Sequence, residues 1–161
     1  MPDLIEALRW TTFAVFAAVL GFAAFSDVRE RKIPNWTVLA VVLLFVFWAL
    51  AEPAVSLVSS LEAALLLLVV TVPLFAFRLI GAGDSKLVTA VALFMGLRLL
   101  PEFLFTTVVA GGVLAIFSLL MNPRRAAVMV QTRFRADYGR GIPYGVAIAL
   151  GGVATVLRHM I

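Results

Sequence analysis

The chain contains no cysteine and a single histidine, His159, among its 161 residues. The first absence removes disulfide frameworks, thiolate metal centres and cysteine nucleophiles together. One imidazole near the C-terminus does not make a histidine metal site, which takes several ligands, and His159 reads as a solvated residue of the tail. No metal and no cofactor is expected. Charge is scarce as well: 14% of residues are charged and 63% hydrophobic, whereas a soluble domain averages about a quarter charged and about half apolar. That imbalance excludes an ordinary water-soluble domain and points to a bilayer.

Six apolar runs fill most of the length: residues 8–25, 36–50, 57–80, 87–100, 103–121 and 144–160. Lipid cannot satisfy backbone polar groups, and runs this long and uniformly apolar are not barrel strands, so all six are expected as transmembrane helices. The expected fold is an all-α integral membrane protein of about six spans, one polytopic domain over residues 1–161. The second and fourth runs are short for a hydrocarbon core of about 30 Å. Pro73 predicts a kink or an opened turn within the third. The opening Met1-Pro2-Asp3-Leu4-Ile5-Glu6 is acidic rather than basic, which argues against a cleaved signal peptide and leaves the first run as a mature span.

The formal net charge of +4 does not imply a nucleic-acid partner, because the basic residues fall in short segments between the runs, where topology requires them. Arg29, Arg31, Lys32, Arg78, Lys86 and the five arginines of segment 122–142 gather on one side; Arg9, Arg98 and Arg158 fall on the other. This asymmetry puts the first, third and fifth loops in the cytoplasm and both termini outside, in a multi-pass protein of the inner (cytoplasmic) membrane. Segment 122–142 mixes its arginines with Val128, Met129, Val130 and Phe134. It reads either as an amphipathic stretch on anionic membrane lipid or as a solvated positive-inside loop. Gly111-Gly112 and Gly151-Gly152 read as close-packing positions between helices.

Two carboxylates stand out against this background. Asp84 lies in Gly81-Ala82-Gly83-Asp84-Ser85-Lys86-Leu87, and an aspartate at the centre of a membrane helix costs about 2.5–3.5 kcal/mol on insertion scales. The glycines at 81 and 83 permit a tight turn or a close approach by another segment. Asp27 ends the first run, ahead of Val28-Arg29-Glu30-Arg31-Lys32-Ile33-Pro34-Asn35. There Pro34 holds Ile33 out of helix and Asn35 is available to cap the second run. Topology puts both aspartates at the cytoplasmic side. Paired carboxylates at the edge of a low-dielectric medium share a proton, so one can activate water while the other protonates a carbonyl or leaving group. The residues by themselves leave three readings open: a hydrolytic dyad, the cation or proton site of a small transporter or channel subunit, and a helix cap or ion pair with Arg29, Arg31 or Lys86.

Three ordered segments carry a resemblance. Asp27 with Arg31 and Ile33-Pro34-Asn35, the run 81–87, and Gly141-Ile142-Pro143-Tyr144-Gly145-Val146-Ala147-Ile148-Ala149-Leu150-Gly151 together resemble the type IV prepilin peptidase family, membrane aspartyl proteases of the GxGD kind. The resemblance implies that Asp27 and Asp84 are the catalytic pair, acting without metal or cofactor. It implies that Gly81 and Gly83 shape the backbone of the site, that Ile33, Pro34, Asn35 and Pro143 frame it, and that Lys86 sits near the dyad or the lipid headgroups. The implied activity is an aspartic-type endopeptidase that removes the short basic leader of a pilin or flagellin-like precursor at the cytoplasmic face, commonly after glycine. Long members of the family also methylate the new amino terminus and carry paired cysteines near their own N-terminus. With no cysteine and a first span that begins almost at once, cleavage without methylation is expected here, as in the compact members that serve tight-adherence pili or archaeal pilins and flagellins.

Overall fold

The computed structural model describes residues 2–51, 55–121 and 143–160, so the amphipathic reading of segment 122–142 lies outside the described residues. Five helices follow in order: α1 (Pro2–Glu30), α2 (Asn35–Ala51), α3 (Leu57–Ala76), α4 (Ala82–Met121) and α5 (Tyr144–Met160). No strand occurs among the described residues. Three helical segments, Ile5–Glu30, Leu57–Ala76 and Ala82–Ser118, are long and apolar enough to cross a membrane; Asn35–Leu50 and Tyr144–Met160 are apolar but shorter. Phe47, Leu61, Val108 and Phe117 point outward from the bundle. A monomer in water rarely carries so much exposed apolar surface, whereas lipid accepts it.

The fourth and fifth apolar runs fall in two helical limbs with no loop between them. They are joined in α4, a 40-residue element broken at Gly96, with φ 57° and ψ −178°. Glycine takes that backbone region at little cost. The break therefore falls inside the fourth apolar run, 87–100, rather than between it and the fifth. Across it, the Leu97 N–H donates to Ser59 Oγ of α3 at 2.9 Å, satisfying one of the free amides at the start of the new limb. The chain reverses at this point. Asp84 lies at the Asp27 end of the bundle, Gly96 faces Ser59 at the start of α3, Glu102 contacts Arg158 and His159, and Gly111 faces Tyr144 and Ala147. Limbs 82–95 and 97–121 thus run antiparallel.

Two helix ends also differ from the apolar runs. Helix α1 continues past residue 25 to Glu30, which puts Asp27 in its last turn. Arg31, in the left-handed region at φ 56°, closes it by donating its N–H to the Asp27 carbonyl at 3.0 Å. Helix α3 passes through Pro73 and stops at Ala76 rather than at residue 80. There Arg78 N–H donates to Phe75 O at 2.9 Å and Leu79 N–H to Leu74 O at 2.8 Å. This is the double bond of a Schellman cap, with Arg78 (φ 59°) in the place that usually takes glycine.

The core runs through the centre of the bundle: Phe16 and Leu20 of α1, Val41 of α2, and Leu87, Val91 and Phe103 of α4 are buried together. Phe94 stacks against Phe16 and Phe45, with ring centroids at 4.6 and 5.5 Å. The close-packing reading holds for Gly111 against Ala147, Gly151 against Thr107 and Gly152 against Val91 and Leu20, while Gly112 faces open space.

Candidate active site

Asp27 sits where a carboxylate is disfavoured, in the last turn of α1, at the partially negative end of its own helix. Helix α5 counters this. From its first turn the Gly145 N–H donates to Asp27 Oδ2 at 2.8 Å, in a buried contact. A Cβ at position 145 would stand 2.9 Å from Asp27 Oδ2 and 3.0 Å from Asp27 Cβ, so the approach requires glycine. Asp27 is only 8% exposed, and Arg31 lies within electrostatic reach of it.

Asp84 is the third residue of α4 and half-buried. Its carboxylate accepts a hydrogen bond from the Gly81 N–H, as the acidic residue of a capping box does. The Gly81 carbonyl in turn accepts the Ser85 N–H at 3.1 Å. Each aspartate is therefore held by a glycine amide at a helix N-terminus, Asp27 by that of α5 and Asp84 by that of its own α4. The two carboxyl groups lie within electrostatic reach of one another.

The remaining expected residues join the two segments. A Cβ at Gly83 would come within 3.0 Å of Ile33 Cβ, so the glycine lets the α1–α2 turn lie directly on the first turn of α4. Lys86 Nζ donates to Asn35 Oδ1 at 3.2 Å. The expectation that Asn35 caps α2 is thereby corrected: its side chain reaches across to α4, and α2 is secured by the Pro34 carbonyl, which accepts the Thr37 N–H at 3.1 Å and the Thr37 hydroxyl at 2.7 Å. Pro143 stands immediately ahead of α5, its carbonyl accepting the Val146 N–H at 3.2 Å. His159 is exposed near the C-terminus, as expected, and its Nε2 lies 2.9 Å from Glu102, at the opposite end of the bundle from the aspartates.

Two features were not singled out from the sequence. Gly145 was visible only as part of the Ile-Pro-Tyr-Gly turn, and nothing local says that its amide serves Asp27. Beside Asp84, the Ser85 hydroxyl donates to Thr71 Oγ1 at 2.8 Å in a buried bond that ties α3 to α4; a lone threonine two positions before Pro73 was its only trace. No group of three or more side chains suited to a metal ion occurs among the described residues.

Chemically, two coupled carboxyl groups in a water-poor site can serve as a matched acid and base. The class so defined is a helical membrane protein with an aspartate pair at one end of its bundle. The sequence pattern of the type IV leader peptidase family matches residues 14–116, nearly two thirds of the chain and inclusive of both aspartates. The chain belongs to this family of peptidases. No curated protein and no solved structure matches it. Helix α5, and Gly145 with it, lies beyond the matched residues.

Proposed function

We propose that the protein is an aspartic-type endopeptidase in which Asp27 and Asp84 remove the leader of a type IV pilin-like precursor. The observation that carries this reading is the placement of the two carboxyl groups within electrostatic reach of one another at one end of the bundle, each beside a glycine amide. One carboxylate takes a proton from water as the water oxygen attacks the scissile carbonyl carbon. The other carboxyl donates its proton to the carbonyl oxygen. Collapse of the tetrahedral intermediate breaks the C–N bond, and the departing amine takes up the proton held by the first carboxyl. The products are a free leader and a new amino terminus, and no methyl transfer follows.

In this reading the chain crosses the cytoplasmic membrane six times, the two limbs of α4 counting separately, and the aspartates face the cytoplasm. The precursor's leader stays on that side, and its apolar helix docks laterally against the bundle. Co-expression with a pilin precursor should give a mass loss equal to the leader, without added methyl mass. Asp27→Asn and Asp84→Asn should each abolish it while the protein still inserts. Full cleavage by either variant would overturn the proposal, and aspartate-dependent ion flux in liposomes without proteolysis would put a transporter in its place.

A further inference from the structure

At the end of the bundle opposite the aspartates, α1, α2, α4 and α5 line an open-sided cavity of about 130 Å³. Phe13, Trp48 and Phe94 form apolar walls, and Arg9, Thr12 and His159 line it as well. Arg9 Nε is enclosed and without a hydrogen-bond partner. Among the described residues no carboxylate lies within ion-pair distance of this guanidinium. Glu102 is already bound to Arg158 at 2.7 Å and to His159 at 2.9 Å. Glu6 lines the adjoining cleft with Arg9 but is not bonded to it. Thr12 is itself buried, 9% exposed.

A guanidinium keeps its charge in a protein, and an enclosed N–H without an acceptor is unfavourable. An anionic oxygen would satisfy that N–H, and a phosphate or carboxylate would engage the guanidinium fork as a whole. The apolar walls ask for a second, hydrophobic part on the same ligand. Trp10 beside Arg9 and Trp48 within the cavity mark this end as the depth of a membrane interface.

We propose that this cavity binds one acidic phospholipid, with its phosphate on Arg9 and Thr12 and the first part of an acyl chain against Phe13, Trp48 and Phe94. A free phosphate would satisfy the guanidinium and leave the aromatic walls bare. A zwitterionic lipid would bring an ammonium group toward Arg9. The inference rests on the membrane placement of the chain and does not depend on the peptidase reading.

Native mass spectrometry of the full chain in detergent, with phosphatidylglycerol and phosphatidylcholine of equal chain length added in turn, tests it. One phosphatidylglycerol should be retained about fivefold more strongly than phosphatidylcholine, the ratio that one basic residue contributes toward an anionic lipid. Arg9→Gln should remove that preference. Thr12→Val, close to isosteric, should weaken retention independently of how the Arg9 variant folds. Equal retention of the two lipids, or a preference unchanged in both variants, would overturn the proposal. So would displacement of the lipid by millimolar inorganic phosphate, which would make this a site for the free anion.

Discussion

Asp27 places a carboxyl group at the partially negative end of its own helix, and the amide of Gly145 offsets that placement. A methyl group there would sit 2.9 Å from Asp27 Oδ2, so Gly145→Ala should displace the carboxylate. A misplacement of about 1 Å costs on the order of 10²-fold in rate. A cleavage assay on membranes with normal levels of inserted protein should show that loss, and a rate within threefold of wild type would remove Gly145 from the site. Lys86 bonds Asn35 rather than either aspartate, so Lys86→Met should lower cleavage by only a few-fold, roughly the loss of one exposed hydrogen bond. The proposed mechanism needs one carboxyl protonated while the other is ionised, so it predicts a wild-type rate that falls on both the acid and alkaline sides of an optimum and Asn variants inactive at every pH. Both aspartates were legible in the sequence because a carboxylate within an apolar run is costly. The partners of Asp27 and Asn35 were not, since they depend on contacts 118 and 51 positions away along the chain.

At the level of helices, the apolar runs announce the class of each element, while their ends are decided by single backbone angles. The fourth and fifth runs part at residues 100–103, yet the helix passes through Pro101 and breaks at Gly96. Gly96 supplies the turn itself. Gly96→Ala should cost about 1–2 kcal/mol for the left-handed backbone, with further strain from a Cβ placed 3.0 Å from Ser59 Oγ. Ser59→Ala should cost about 1 kcal/mol as a lost cap. The two residues touch, so the double variant should fall short of the sum; thermal unfolding in detergent measures all three. Arg78 holds a left-handed conformation for which glycine has no steric penalty, so Arg78→Gly should leave stability unchanged or raise it by up to about 1 kcal/mol. The early stop of α3 escaped the sequence for the same reason: an arginine in a glycine's place gives no warning of a cap.

At the scale of the whole bundle, the basic residues among those described sort by end. Arg31, Arg78 and Lys86 belong to the turns and helix start around the aspartates, and Arg9 and Arg158 to the opposite end. The absence of cysteine makes the arrangement directly measurable, because each introduced thiol reports one position. Glu30→Cys should react with a membrane-impermeant maleimide only when the cytoplasmic face is opened, and Arg98→Cys should react in intact spheroplasts. Labelling of both from one side would refute the antiparallel course of the chain. How the limbs meet was not readable along the runs, because it turns on Gly96 and on the side chains of Ser59 and Glu102. The bond between Asp27 and Gly145 also sets an order of events during biosynthesis. The first helix leaves the ribosome with its aspartate, and Asp84 follows, but the amide that holds Asp27 arrives only with the last helix. A nascent chain halted before Pro143 would already hold both carboxyl groups and still lack the amide that fixes Asp27.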